Sequence, residues 1–239
     1  MKNNLEKGKN MKIIAVVNQK GGVGKTTSVI NMASKLSEQY RVLVVDLDQQ
    51  ANATGNCGFD EDELEFTLFN LLSNKEIKAE ECIIKTSKGF DLIAGSIELA
   101  NITTILASSP NRERIMAKKF KSIMELYDYI LLDCGPSFDI TTMNALAMSD
   151  LALIPMEAHK FSVKGIKNIL DFLDIIKEEF NETLQHKFFI TKLDGRIGSF
   201  KEMEDSLRNV LKENVYNTQI RIDNKIRTAQ NNSQTIFEI

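Results

Sequence analysis

A doubly wound α/β fold, a mostly parallel sheet with helices on both faces, is what this sequence predicts, and three observations predict it. Short apolar runs at residues 13–17, 42–45, 129–132 and 151–155 are continuous rather than alternating, as in strands covered on both sides. Stretches of helical spacing separate such runs, the first carrying Val29, Ile30, Ala33 and Leu36 on one face. The first apolar run also leads directly into a glycine-rich turn, Gln19-Lys20-Gly21-Gly22-Val23-Gly24-Lys25-Thr26-Thr27, of the kind that joins a strand to a helix. Right-handed crossovers make the strands of such units parallel, and ligands sit at their carboxyl ends.

The elements follow in order. A strand near residues 11–18 precedes the turn, and a helix is expected over 26–39. The strand at 42–45 is expected beside the first. A helix at 64–72 and a short strand at 90–94 come next, then helices at 97–107 and 112–126 flanking Ser108-Ser109-Pro110. Alternation resumes with a strand at 129–133, a helix at 141–148, a strand at 151–155 and a long amphipathic helix at 163–180. A strand at 187–193, a helix at 200–213, a short strand at 218–222 and a closing turn or two of helix complete the pattern.

With 239 residues, 43% of them hydrophobic, the chain can bury one substantial core, so residues 11–239 are expected to form a single domain behind a flexible extension, residues 1–10. Those ten residues lack the apolar centre of a signal peptide, and no run is long enough to span a membrane. Cys57, Cys82 and Cys134 have no CxxC spacing, which argues against a disulfide framework or a zinc site and fits a reducing cytoplasm. The net charge of −3 does not mark a nucleic-acid binder, although residues 187–230 hold nine basic residues against six acidic ones.

The glycine-rich turn carries the chemistry. Gly21, Gly22 and Gly24, with Val23 between them, let successive backbone N–H groups face a polyphosphate, and the helix beginning near Thr26 and Thr27 adds its positive end. Lys25 supplies a cation for the β- and γ-phosphates and the Thr26 hydroxyl a ligand for Mg²⁺. A strict phosphate loop has glycine at position 19, where this chain has Gln19, and adds a second lysine, Lys20. Hydrolysis also needs carboxylates. Asp133 ends an apolar strand in the Walker B manner, and Asp46 and Asp48 stand at the end of another, where alternation sends both to one side.

These residues resemble the deviant Walker A class of ATPases, which includes ParA-type partition proteins and MinD-type positioning proteins. The segment from Val44 to Thr54 is similar to that family's V-D-x-D-P-Q-G-N-A-T, with Gln49 and Ala51 in place of proline and glycine. Asp133-Cys134-Gly135-Pro136-Ser137 is similar to D-C-P-P-S, and Thr191 to Arg196 to T-x-x-D-x-R. The resemblance implies an ATPase of weak intrinsic activity that uses ATP and Mg²⁺ and forms a sandwich homodimer on ATP binding. In such a dimer Lys20 reaches the partner's phosphates and Asp48 positions the hydrolytic water, with Lys25 on the phosphates and Thr26, Asp46 and Asp133 around the metal. It also implies cytoplasmic, nucleoid-associated action on non-specific double-stranded DNA, without a membrane, under control of a centromere-binding ParB-type adaptor. Arg196 is the implied DNA contact, with Lys225 and Arg227 beside it. The alternative is a MinD-like or cargo-positioning ATPase acting on membrane or protein cargo. The chain's ending, residues 231–239, is short and carries few charges for the basic amphipathic helix of the MinD type.

Overall fold

The computed structural model describes residues 11–157, 163–193 and 200–239. The expected extension at 1–10, and Arg196, lie outside them.

Strand β1 (Lys12–Val16) enters the glycine turn, and helix α1 (Lys25–Ser37) follows. Next are β2 (Val42–Asp46), the one-turn helix α2 (Asn52–Asn56) and α3 (Leu68–Ser73). A hairpin of β3 (Ile83–Lys85) and β4 (Asp91–Ile93) leads to α4 (Ile102–Leu106) and α5 (Ile115–Phe120). Then come β5 (Tyr129–Asp133), α6 (Ile140–Met148), β6 (Leu151–Glu157) and α7 (Val163–Glu179). The chain continues through β7 (Gln185–Leu193), α8 (Phe200–Leu211), β8 (Val215–Arg221) and α9 (Asn224–Asn231).

Among the described residues the strands form one sheet in the order β3-β4-β2-β5-β1-β6-β7-β8. Every pairing is parallel except the β3–β4 hairpin at one edge. The expected doubly wound architecture is therefore present, but two details differ. The second strand does not lie beside the first, because β5 is inserted between them, with Asp133 level with Val16 on one side and Asp46 on the other. The expected helix at 112–126 is broken: 3-10 turns at Arg112–Arg114 and Met124–Leu126 flank the six-residue α5. Asn111, with φ of +52°, sets the first of those turns.

All five residues of β2 are buried, which the sheet achieves by alternating its strand residues between two layers. Ile13, Ala15, Leu43, Val45, Ile130 and Leu132 face a large core against α3 to α8, whereas Val16, Val42, Val44 and Leu131 face Val29, Ile30 and Ala33 of α1. The continuous apolar pattern follows from this double coverage. It also places the ends of β1, β2 and β5 side by side at one rim.

Candidate functional site

The glycine turn occupies that rim. Gly22 and Gly24 have φ of +72° and +92°, values that exclude most side chains, and Gly24 caps α1 with no side-chain hydrogen bond. The leading N–H groups of a 13-residue helix are thus presented without an internal acceptor, in the manner of an anion cradle. Asn18 braces the turn: its Nδ2 donates to the Pro155 carbonyl at 2.8 Å and its Oδ1 accepts from the Lys20 N–H at 2.9 Å. The Thr191 hydroxyl adds a second brace, donating to the Val23 carbonyl at 2.8 Å. The sequence places Thr191 in the T-x-x-D-x-R segment but assigns neither residue this bracing role. The only signal for Asn18 is its place directly after the first apolar run.

Lys25 is buried, and its ammonium lies 3.4 Å from the Lys20 carbonyl. Burial lowers its pKa, while the charges of Asp133 and Asp48 oppose the shift. Asp133 is fully buried at the end of β5, and neither carboxylate oxygen has a hydrogen-bond partner. Burial pushes its pKa well above the carboxylate range and nearby Asp46 adds to this; the Thr26 hydroxyl and Lys25 act in the opposite sense. A buried carboxyl group beside a lysine and a threonine is a donor set that suits a hard divalent cation, whose charge would favour its ionised form.

Asp46 differs. Its Oδ2 accepts from the Thr54 N–H and hydroxyl, both at 2.9 Å, and its Oδ1 from the Asp48 N–H at 3.1 Å. The Thr54 hydroxyl in turn accepts from the Gly95 N–H at 3.0 Å. Both oxygens of Asp46 therefore accept bonds within the chain, which tie it to the loop that carries Asp48. Desolvation raises its pKa to about 6 despite those bonds. The loop needs fixing, since Ala51 stands in the left-handed region at φ +46°, where the related motif has glycine. Asp48 itself accepts from the Gln50 N–H at 3.0 Å, and a Cβ on Gly135 would lie 3.5 Å from its Oδ1. The D-C-G-P-S turn thus packs against the Asp48 loop.

Lys20 is exposed, and its ammonium meets Glu157 at the end of β6, 3.2 Å from Oε2. Lys225 and Arg227 are exposed on α9, and Arg227 lines a groove of about 860 Å³ that runs from Gly24 and Thr27 along α1 towards β8. The turn Arg221-Ile222-Asp223 lines the same groove. Gln230 of α9 donates to the Thr27 hydroxyl at 2.5 Å, tying that helix to the phosphate turn.

Fold and site together define a phosphate-loop protein of the doubly wound class. The AAA domain family profile matches residues 11–186, and the chain belongs to this family, in its ParA/Soj branch. Two uncharacterized Mycobacterium tuberculosis proteins are 35% identical over 195 residues, 80% of this chain; the alignment spans 61% of their own length. The chromosome-partitioning ATPase Soj of Thermus thermophilus is 33% identical over 94% of this chain and 87% of its own. Among solved structures, a plasmid partition protein from Borrelia burgdorferi bound to AMPPNP superposes with a TM-score of 0.79, at 26% identity over 95% of both chains. A cobyrinic acid a,c-diamide synthase from Mycobacterium smegmatis, with ATP analogue and magnesium, gives 0.80 at 27% identity over 83% of this chain and 80% of its own. Among the described residues, no helix is long and apolar enough to cross a membrane.

Proposed function

We propose that this chain is an ATP-driven partition switch, and the observation that carries the reading is the orphaned, fully buried Asp133 carboxylate beside Thr26 and Lys25 at the open end of α1. The residues present fit ATP with Mg²⁺. Gly21, Gly22, Val23 and Gly24 wrap the phosphates with backbone N–H groups, Lys25 neutralises their charge, and Thr27 stands in the first turn of the helix beneath them. Thr26 and Asp133 would hold the metal, which would supply neutralisation of the phosphate charge. Asp46 supports this site by tying the Asp48 loop to the metal shell, in which it would take an outer place. Asp48 orients the attacking water, and the nucleoside lies along the groove bordered by Arg221-Ile222-Asp223.

Turnover in an isolated chain is slow on this reading, since among the described residues no cation beyond Lys25 is assigned to the γ-phosphate in cis. Lys20 completes the charge complement from a second copy in an ATP-sandwich homodimer, as an arginine finger does. The dimer binds double-stranded DNA without sequence preference through Arg196, Lys225 and Arg227, and a centromere-binding ParB-type adaptor stimulates hydrolysis to release it. This places its work at the nucleoid in the cytoplasm. Likeness to a chromosome-partitioning ATPase from Thermus and to a plasmid partition protein from Borrelia supports partition as the task.

The test is fluorescence anisotropy with random duplex DNA, comparing ATP with ADP at fixed salt. Binding with ATP alone, weakened by Arg196→Ala equally for every sequence and falling steeply with salt, supports the reading. Absence of binding in both states overturns the DNA arm and turns attention to protein cargo.

A further inference from the structure

The contact between Lys20 and Glu157 carries a consequence for the proposed sandwich dimer, on which the inference rests. Glu157 is nearly inaccessible, its side chain 3% exposed, whereas its two cations are at the surface: Lys20 is 42% and Lys192 47% exposed. Oε2 lies 3.2 Å from the Lys20 ammonium and Oε1 3.1 Å from that of Lys192. Each oxygen of one buried anion thus has its own lysine. Both lysines are anchored by their backbones. The Lys20 N–H is held by Asn18, which also grips Pro155, two residues before Glu157 on the same strand. Lys192 sits in the left-handed region at φ +53° directly after Thr191, which is bonded to the phosphate turn. A lysine persists in that conformation only where its surroundings over-determine it.

We propose that Glu157 is a positioning residue for Lys20: it stations the ammonium in cis until a partner's phosphates compete for it, and Lys192 remains as the counter-ion when Lys20 leaves. A buried carboxylate stripped of its cations is strongly unfavourable. With Lys192 in place, Lys20 departs without stranding the charge, and only its side chain has to swing. The arrangement makes the trans lysine releasable, and it sets the affinity of the dimer through the strength of a contact that the dimer must break.

The full chain is tested with AMPPNP and Mg²⁺ by sedimentation, alongside the acetylation rate of Lys20 read by mass spectrometry without nucleotide. In Glu157→Gln, Lys20 acetylates about fivefold faster and the dimer dissociation constant tightens about fivefold, equivalent to ~1 kcal/mol. Lys192→Met, which retains Glu157, shifts the dimer constant the other way, since departure of Lys20 then leaves the buried carboxylate with one cation fewer. Glu157→Asp retains the slow acetylation. A merely structural carboxylate predicts a weaker dimer for Glu157→Gln, and that result, or unchanged acetylation, overturns the proposal. A wild-type chain that stays monomeric with AMPPNP overturns the sandwich reading and this role with it; the acetylation ratio then shows whether the cis contact exists on its own.

Discussion

Replacing Asp133 with asparagine should stabilise the nucleotide-free protein while destroying its activity. The side chain is fully buried, both oxygens lack partners, and burial with the charge of Asp46 disfavours its ionised form. An uncompensated buried charge costs on the order of 3–5 kcal/mol, of which the attraction of Lys25 returns a part. The amide that replaces it leaves its own hydrogen bonds unmade, so a net gain of roughly 1–2 kcal/mol is expected at pH 7.5. For a domain of this size each kcal/mol moves the melting temperature by ~2–4 °C. Thermal and urea unfolding in EDTA would measure it. The sign with pH is fixed by the raised pKa: the folded state holds its proton more tightly than the unfolded chain, so the penalty is present above the raised value and disappears as pH falls towards 3.8. The advantage of Asp133→Asn should therefore shrink with acidification. Saturating ATP and Mg²⁺ should reverse the order, because the wild type alone gains the full binding free energy. A variant that melts below the wild type in EDTA by more than about 1 kcal/mol would show that Asp133 has an internal structural partner, and the metal assignment would lose its basis.

Three other perturbations address the supporting loop. Gly95→Ala places a Cβ 2.9 Å from both Asp46 Cγ and the Asp48 carbonyl oxygen, a clash with backbone that should cost about 1–3 kcal/mol in urea unfolding and depress kcat together with stability. Thr54→Val keeps the shape but removes a hydroxyl that donates to Asp46 and accepts from Gly95; a loss of about 2–4 kcal/mol is expected, and a change below about 0.5 kcal/mol would refute the network. Ala51→Gly relieves a left-handed alanine, worth ~1–2 kcal/mol, against the ~0.4–1 kcal/mol of added freedom in the unfolded chain, so a small rise in the urea midpoint is expected.

Much of this was legible in the residues, for identifiable reasons. The phosphate turn is local: nine consecutive residues specify its glycines, its lysine and the helix that follows. The central strands are equally plain, because burial on both faces imposes unbroken apolar runs. Strand order is not local, and nothing in residues 42–46 announces that β5 separates them from β1. The edge strand β3 is half-buried to exposed, so it lacks the buried apolar run that marks the central strands. Asp46 shows the limit most clearly. Alternation pairs it with Asp48, but β2 ends at Asp46, and its oxygens accept from Thr54, eight residues on, and from the Asp48 N–H, which periodicity does not reveal. The Glu157 partner of Lys20 lies 137 residues away in sequence.

Several unfavourable features of this protein share one rim. Asp133 and Asp46 buried side by side, Ala51 and Lys192 in left-handed backbone and two glycines at positive φ all lie at or just beyond the ends of β1, β2, β5 and β7. Behind them β1, β2 and β5 are largely buried and regularly paired, so the sheet is well supported where the rim is strained. An empty site of this kind is less stable than a neutralised one, and the difference is available as binding free energy when cations and phosphates arrive together. The same reasoning predicts that Mg²⁺ alone, facing one carboxylate and a hydroxyl, binds weakly, and that nucleotide and metal stabilise the fold cooperatively. Melting temperatures with Mg²⁺, with ATP in EDTA and with both should therefore be non-additive, the combined shift exceeding the sum of the separate ones. Additive shifts would mean that the metal and phosphate sites are independent, and Asp133 would then have to be relieved by something other than the nucleotide's own cation.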